Sequence, residues 1–186
     1  YLADGSEYRG DYGKTREELA DFHRERIHIL AEAGPDVFAC ETIPCLVEAL
    51  AETDVLSEIP GAEAWISFSC KDGIHTCGGD LISDCAKALK DIKEVAAIGI
   101  NCTAPQYVES LIKEIVKVTD KPVVVYPNSG EDYDAGSKSW EGSAANYEDY
   151  VKIWYEAGAR LIGGCCRTGP EDIRKVAAFR KCLIEK

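Results

Sequence analysis

The sequence predicts an α/β fold built on a parallel sheet. Short apolar segments alternate with helical segments at a spacing of roughly 30 residues, which is typical of repeated strand–helix units joined by right-handed crossovers. The apolar segments are continuous rather than alternating, as expected for parallel strands that are covered on both faces. The predicted strands are 36–42, 64–70, 95–101, 122–128 and 160–166.

Helix signals lie between these strands. Thr15 and Glu18 form a capping-box pattern that starts a first helix, and Gly34 ends it. Pro44 predicts the start of a second helix, which runs to about residue 56. Residues 129–145 are polar and are predicted to be a long loop. Further helices are predicted at 81–92, 105–118, 147–157 and 170–183.

The missing phosphate loops narrow the choice of α/β fold. No GxGxxG follows a strand and no GxxxxGK[ST] is present, so the nucleotide-binding folds lack support and a (β/α)8 TIM-type barrel is the predicted architecture. Such barrels typically need about 250 residues, so five units in 186 residues predict an incomplete barrel. The chain begins with Tyr1 and contains no Met, which favours a piece of a longer protein.

Charge and composition exclude several classes of partner. A net charge of −12 argues against a nucleic-acid backbone or an anionic membrane surface as partner. No apolar run approaches the ~20 residues that span a bilayer, and no signal peptide is recognisable. The nine cysteines are odd in number and lie mostly in or beside apolar runs. They favour a reduced, cytoplasmic protein with metal-binding or catalytic thiols over a disulfide framework.

Two adjacent cysteines, Cys165 and Cys166, end the last predicted strand, and Cys102 follows the third. Active sites of βα barrels lie at the carboxyl ends of the strands, so these three thiols are expected at one mouth. Zn²⁺ favours tetrahedral sites with sulfur ligands, and a catalytic zinc keeps three protein ligands and one open position. The sequence therefore predicts a zinc centre. A redox pair at Cys165 and Cys166 is the weaker alternative, because adjacent residues close a strained disulfide.

Helix starts are predicted beside these thiols. Thr103 with Gln106 and Thr168 with Glu171 have capping-box spacing. The N–H groups and the positive helix ends there should lower the pKa values of the neighbouring thiols.

The other six cysteines are predicted to be small buried hydrophobes, with reactive surface thiols as the alternative for Cys45 and Cys77. They are Cys40, Cys45, Cys70, Cys77, Cys85 and Cys182.

Longer motifs resemble those of the homocysteine S-methyltransferases. The resemblance covers nearly all of the chain, and its flanking motifs are similar to the branch that uses S-methylmethionine or S-adenosylmethionine rather than betaine or cobalamin. It implies a (β/α)8 barrel of which this chain covers about strands four to eight, with 1–186 as the C-terminal part of a single homocysteine-binding domain. The motifs are Gly163-Gly-Cys-Cys-Arg-Thr168, Gly99-Ile-Asn-Cys-Thr103, Cys40-Glu-Thr-Ile-Pro44 and Tyr126-Pro-Asn-Ser-Gly-Glu131.

The resemblance also implies a reaction and its substrates. Zn²⁺ would hold homocysteine as a thiolate, which takes a methyl group from a sulfonium donor to give methionine. Glu41 would bind the substrate amino group; the alternative is a carboxylate that stabilises a helix start. Asn128 could bind substrate, or it could be a turn residue before Gly130. Thr42 and Thr103 are predicted to be helix caps rather than ligands.

Two other functions stay open from the sequence. The chain could be a non-catalytic barrel remnant that keeps zinc and has lost its substrate site. It could also be the homocysteine domain of a larger cobalamin-dependent methionine synthase.

Overall fold

A parallel sheet forms the centre of the structure, a computed structural model that describes residues 8–134, 139–142 and 144–185. Its five strands lie in the order β1-β2-β3-β4-β7, and every neighbouring pair is parallel. Neighbours in the sheet follow one another along the chain, apart from a small separate hairpin, as repeated βα units require. The strands are β1 (Phe38–Ile43), β2 (Ala64–Phe68), β3 (Val95–Asn101), β4 (Val123–Tyr126), β5 (Asp132–Asp134), β6 (Ser139–Glu141) and β7 (Ala159–Ile162).

Helices connect the strands, as predicted. The fold prediction is confirmed at this level, with α3 and α4 ending two or three residues before their predicted ends. No described helix has both the length and the apolar composition needed to cross a membrane. The helices are α1 (Arg16–Glu32), α2 (Leu46–Ser57), α3 (Ile82–Leu89), α4 (Pro105–Val116), α5 (Tyr147–Ala157) and α6 (Pro170–Ile184).

The two faces of the sheet differ in burial. Side chains that point towards the helices form the core, with Phe68, Ile98 and Val125 all fully buried. The opposite face is partly open, since Glu41 is exposed and Leu161 is 43% exposed. The expectation of strands covered on both faces therefore fails at Glu41 of β1 and at Leu161 of β7, which are exposed on this face.

The last predicted strand was too long. It was expected to run through Cys166, but β7 ends at Ile162. The neighbouring strand β4 ends at Tyr126, and Pro127 after it has no N–H to continue the ladder. Cys165 and Cys166 therefore lie in a loop beyond the strand, which is a freer position for metal ligands.

The polar segment 129–145 is not simply a loop. It contains β5 and β6, which pair antiparallel with Tyr133 opposite Trp140. Three-residue strands are too short for an alternating pattern to stand out in the sequence.

One of the predicted helix caps is confirmed and the others are wrong. The box at Thr15 is confirmed, because its hydroxyl accepts from the Glu18 N–H at 3.2 Å and the Glu18 carboxylate accepts from the Thr15 N–H at 2.9 Å. Thr42 is not a cap, since Cys45 takes that position in α2.

The boxes predicted at Thr103 and Thr168 are wrong. Ala104 caps α4 without a side-chain hydrogen bond, and α6 begins after Gly169. The two threonine hydroxyls instead donate to backbone carbonyls, that of Thr103 to Asn101 and that of Thr168 to Cys165. These contacts tighten the cysteine loops rather than the helix starts.

The cysteines outside the predicted zinc centre are mostly buried, as predicted. Cys40, Cys70 and Cys85 lie in the core, and burial raises the pKa of the buried Cys45 thiol to about 11, which is opposite to a reactive surface thiol. Cys77 is half-buried, and Cys182 is exposed. The burial prediction is wrong for Cys182 because it lies on α6, which has no buried residue.

Candidate metal centre

The three predicted zinc ligands come together at the carboxyl end of the sheet. Cys102 directly follows β3, while Cys165 and Cys166 follow β7 on the other side of β4. Sγ of Cys102 lies 3.5 Å from Sγ of Cys166, which lies 3.9 Å from Sγ of Cys165. All three sulfurs lie within 4.8 Å of one another, and they form the one such cluster among the described His, Cys, Asp and Glu side chains.

The sulfur separations fit a tetrahedral thiolate site. A Zn–S bond of about 2.3 Å at tetrahedral angles places two sulfurs about 3.8 Å apart. The two measured separations lie on either side of that value, so the donor set needs little rearrangement to bind a metal of this kind.

Backbone hydrogen bonds to the end of β4 position the thiols. The N–H of Cys102 donates to the carbonyl of Tyr126 at 3.2 Å, and the N–H of Cys165 donates to that of Pro127 at 2.9 Å. The carbonyl of Cys166 accepts from the N–H of Ser129 at 3.0 Å. The segment that follows β4 thus supports both cysteine loops at once.

The three thiols shift one another's pKa values more than the nearby helix ends do. The pKa of Cys165 is lowered to about 6, chiefly by a hydrogen bond from the Cys102 thiol. The pKa of Cys102 is raised for the same reason, since this thiol keeps its proton, and burial raises that of Cys166. The prediction that helix starts lower all these values is therefore wrong. Within the cluster, Cys165 is the thiol whose pKa is lowered.

An ion pair that was not predicted from the sequence joins the loop of Cys165 and Cys166 to the segment after β4. Nε and Nη2 of Arg167 donate to the two oxygens of Glu131 at 3.0 and 3.1 Å, and Ser129 Oγ donates to Glu131 at 2.8 Å. These contacts lower the pKa of Glu131. The pair joins the segment after β4 to the residue after Cys166. Its bidentate geometry gives it a definite orientation.

Glu41 lies on β1, on the open face of the sheet. It lines an open pocket of about 260 Å³ whose far side is formed by Gly163 and Gly164, directly before Cys165. The other lining residues are mostly apolar: Trp65, Val124, Tyr126, Leu161 and Ile162. A single carboxylate in an otherwise apolar pocket is suited to bind an ammonium group.

The hydroxyl of Tyr126 organises the floor of this pocket. It accepts from Nε1 of Trp65 at 3.0 Å and shares a short hydrogen bond with Ser67 Oγ. Burial is the main reason why the pKa of Tyr126 is raised, and the charge of the nearby Glu41 carboxylate adds to it. The hydroxyl therefore keeps its proton in the pocket.

Asn128 is a turn residue before Gly130, as the alternative to a substrate contact predicted. Its Oδ1 accepts from the N–H of Gly130 at 2.9 Å, and its own N–H donates to the carbonyl of Thr103. The side chain therefore shapes the turn that leads to Ser129 and Glu131. A role in binding substrate stays a prediction.

Thr42 takes an unexpected backbone conformation beside Glu41. Its φ is +61°, in the left-handed region that a β-branched residue rarely enters. Asn101 supports it through two hydrogen bonds of 2.7 Å, one accepted from the Thr42 N–H and one donated to the Thr42 hydroxyl. Neither contact is visible in the sequence, because 59 residues separate the two positions.

Comparisons with known proteins agree with this geometry. The family profile "Homocysteine S-methyltransferase" matches residues 1–179. Homocysteine S-methyltransferase YbgG of Bacillus subtilis is 55% identical over 185 residues, which are 98% of this chain and 59% of the relative. Homocysteine S-methyltransferase 2 of Arabidopsis thaliana is 51% identical over 196 aligned residues, covering 100% of this chain and 57% of the relative. The chain thus spans less than two thirds of the length of either protein.

A solved structure extends the likeness to the fold. The metallated form of the homocysteine methyltransferase MmuM from Escherichia coli matches with a TM-score of 0.83 and 41% sequence identity. The match covers 96% of this chain and 57% of that barrel. The prediction of a TIM-type barrel fold is confirmed, and the relative binds a metal. By its profile match and by these relatives, the chain belongs to the homocysteine S-methyltransferase family.

Proposed function

We propose that this chain carries the metal and homocysteine-binding part of a zinc-dependent methyltransferase. Its reaction would transfer a methyl group from S-methylmethionine or S-adenosylmethionine to homocysteine, giving methionine. A bond forms between the homocysteine sulfur and the methyl carbon, while the sulfonium carbon–sulfur bond breaks and a neutral thioether leaves. The observation that carries the proposal is the cluster of Cys102, Cys165 and Cys166 beside the pocket of Glu41.

The thiols of Cys102, Cys165 and Cys166 would hold the zinc ion. When bound by three thiolates, Zn²⁺ supplies an open fourth position and favours the thiolate form of a substrate thiol. The loops hold the three sulfurs at separations that suit a shared metal ion, because backbone hydrogen bonds to the segment after β4 position both loops.

Glu41 would bind the ammonium group of homocysteine. The carboxylate lies in the pocket that reaches Gly163 and Gly164, next to Cys165. The carboxylate is exposed in this open pocket, so the ammonium group of homocysteine can reach it, and the other lining side chains carry no charge. Asn128 is retained as a second candidate substrate contact through the side-chain atoms that the turn leaves unused.

The apolar lining would also favour the methyl transfer step. The donor carries a positive charge on sulfur, and this charge disappears as the methyl group moves. Trp65, Val124 and Leu161 line the pocket of Glu41 and would offer the donor a weakly polar wall. Such a wall favours the less charged transition state over the charged reactants.

We also propose a domain organisation and a cellular compartment for the protein. Residues 1–186 would be the C-terminal part of a single homocysteine-binding barrel domain. All nine cysteines are free thiols in the structure, which supports a reducing, cytoplasmic compartment.

A methyl-transfer assay on the intact protein tests the proposal. Homocysteine is offered with S-methylmethionine or with S-adenosylmethionine, with and without a chelator, and without cobalamin. We expect methionine from at least one donor, loss of activity on chelation and recovery with Zn²⁺. Full activity of metal-free protein contradicts the zinc centre. Bound zinc without transfer from either donor supports a non-catalytic metal protein, and a strict need for cobalamin supports the synthase alternative.

A further inference from the structure

Glu131 and Arg167 form a side-chain clamp next to a candidate metal ligand. Nε and Nη2 of Arg167 donate to the two carboxylate oxygens of Glu131 at 3.0 and 3.1 Å. Oγ of Ser129 donates to Oε2 of the same carboxylate at 2.8 Å. The Glu131 side chain is only 13% exposed and Ser129 is 3% exposed, so the carboxylate side of the clamp is shielded from water. A paired contact of this kind is stronger and more directional than a single hydrogen bond.

A backbone hydrogen bond ties the clamp to Cys166. The N–H of Ser129 donates to the carbonyl of Cys166 at 3.0 Å, and Arg167 is the next residue along the chain. The segment after β4 thus binds the main chain at Cys166 and the side chain at Arg167. The peptide group between these two residues is held at both ends, which limits the directions that the Cys166 side chain can take.

Arg167 needs outside support because its backbone is strained. Its φ is +66°, in the left-handed region that residues other than glycine rarely enter. A residue in this region keeps its conformation only where the surroundings enforce it. Relaxation at Arg167 would move the chain at Cys166, whose sulfur lies 3.5 Å from that of Cys102.

Cys165 is held by contacts that do not involve the clamp. Its N–H donates to the carbonyl of Pro127 at 2.9 Å, and its own carbonyl accepts from the Thr168 hydroxyl at 2.7 Å. Loss of the clamp should therefore displace the sulfur of Cys166 and leave that of Cys165 in place.

We propose that Glu131 and Arg167 are positioning residues for the metal centre. They hold the left-handed turn after Cys166 and so keep its sulfur at the separation from Cys102 that a shared ion needs. The inference rests on the zinc centre of the proposed function, but it does not depend on which reaction that centre carries out. Contacts that orient metal ligands commonly contribute 10- to 100-fold to metal affinity.

The substitution Glu131→Gln tests the clamp with little change in volume. An amide has one acceptor oxygen and one donor NH2 group, so it cannot offer an oxygen to each of the two Arg167 nitrogens. In the intact protein we expect zinc affinity, measured by competition with a chelator, to fall by about 10-fold. With Co²⁺ in place of zinc, the absorption bands of the ion should also change, because they depend on the arrangement of its sulfur ligands. A clamp that only stabilised the fold would leave these bands unchanged.

Glu171→Gln is the matched control. Glu171 also pairs with an arginine, Arg174, but both side chains are exposed and the pair lies within α6. The substitution makes the same change in charge and removes a pair of the same kind. Zinc affinity and the Co²⁺ spectrum should equal those of the wild type.

A double substitution tests whether the two side chains act as one unit. Arg167→Gln alone should weaken zinc binding about as much as Glu131→Gln. The double variant should then lose no more than either single variant, whereas independent effects would multiply to about 100-fold. If Glu131→Gln does not fold, Arg167→Lys takes its place in the comparison. Arg167 is half exposed, and lysine keeps the charge while it replaces the planar fork with a single ammonium group.

The outcomes distinguish this proposal from the proposed function. Wild-type zinc affinity and an unchanged Co²⁺ spectrum in the Glu131 variant overturn the role of the clamp, and so does an equal loss of affinity in the Glu171 variant. A zinc-loaded wild-type protein that methylates no homocysteine contradicts the proposed function instead. The comparison of metal affinities then still decides whether the clamp positions Cys166.

Discussion

At the residue scale, strained backbone conformations gather at the candidate site. Among the described residues, the non-glycine positions with positive φ are Thr42, Cys102 and Arg167. Thr42 lies within β1, whereas Cys102 and Arg167 come after the carboxyl ends of β3 and β7, and Cys102 is a candidate metal ligand. Such conformations cost on the order of 1–3 kcal/mol each and persist where the surroundings enforce them. Their clustering is what a site that needs fixed side-chain directions would show.

Substitution of one candidate metal ligand tests the thiol cluster directly. Replacing Cys166 by Ala removes one of three sulfurs from a half-exposed loop, so we expect the fold to survive. Zinc content should fall well below one ion per chain, and methyl transfer should be lost, because two thiolates leave the site incomplete. Elemental analysis, activity assays and circular dichroism measure the three effects.

Cys182→Ala is the matched control for that substitution. Cys182 is exposed on α6, outside the cluster, so its replacement should change neither metal content nor activity. Retained activity in the Cys166 variant would show that the ligand assignment is wrong.

At the scale of elements, α1 and α2 meet at a buried polar cluster. His23 Nε2 lies 3.0 Å from Glu48, whose carboxylate also accepts from the Tyr12 hydroxyl at 2.8 Å. Glu52 lies 3.7 Å from the other nitrogen of His23, and its Oε2 has no hydrogen-bond partner. Two carboxyl groups thus face one imidazole where water is excluded.

This cluster predicts a pH-dependent stability. Burial raises the pKa of Glu52 to about 7, while Arg26 and His23 oppose that rise and Glu48 adds to it. The unfolded chain therefore releases the Glu52 proton at lower pH than the folded chain does. Stability from this group is greatest at acidic pH and falls as the pH rises from about 4.5 to above 7, by about 3–4 kcal/mol in total.

Glu52→Gln tests that sign. The neutral amide does not titrate, so the difference in unfolding free energy, variant minus wild type, should become more positive by about 2–3 kcal/mol between pH 5 and pH 8. Urea unfolding at both pH values measures it. Glu63→Gln, an exposed carboxyl, should show no such change. A constant difference for the Glu52 variant would contradict the raised pKa.

Two threonines with the same capping-box spacing differ in whether they cap a helix. The Thr15 box was predictable because its partners lie within three residues of each other. Thr103 has the same spacing to Gln106, yet its hydroxyl donates to the Asn101 carbonyl and accepts from the Cys70 N–H. Cys70 lies 33 residues away, and tertiary partners of this kind override a local signal.

At the scale of the whole molecule, the repeated strand–helix units made the fold predictable from the sequence. Continuous apolar strands and regular helices predict the order of the main sheet, and the order of parallel strands predicts which ends share an edge. That was enough to bring Cys102 to Cys165 and Cys166. The roles of Asn101 and Tyr126 were not predictable, since each depends on contacts between strands about 60 residues apart.

The candidate metal links distant parts of the chain, so it should stabilise the whole fold. Bound zinc would join the loop after β3 to the loop after β7, across the end of β4. A ligand present at 1,000 times its Kd stabilises the folded state by about 4 kcal/mol. For a chain of this size each kcal/mol moves the Tm by about 2–4 °C, so chelation should lower the Tm by roughly 10 °C.

Thermal unfolding of the intact protein with zinc and with a chelator measures this shift. Cys182→Ala should show the full difference, because it leaves the cluster complete. Cys166→Ala should show a much smaller one, because its affinity for zinc is already low. An equal Tm in both conditions for wild-type protein would contradict tight binding of zinc to the folded state, because any ligand that binds the folded state more tightly than the unfolded state raises the Tm.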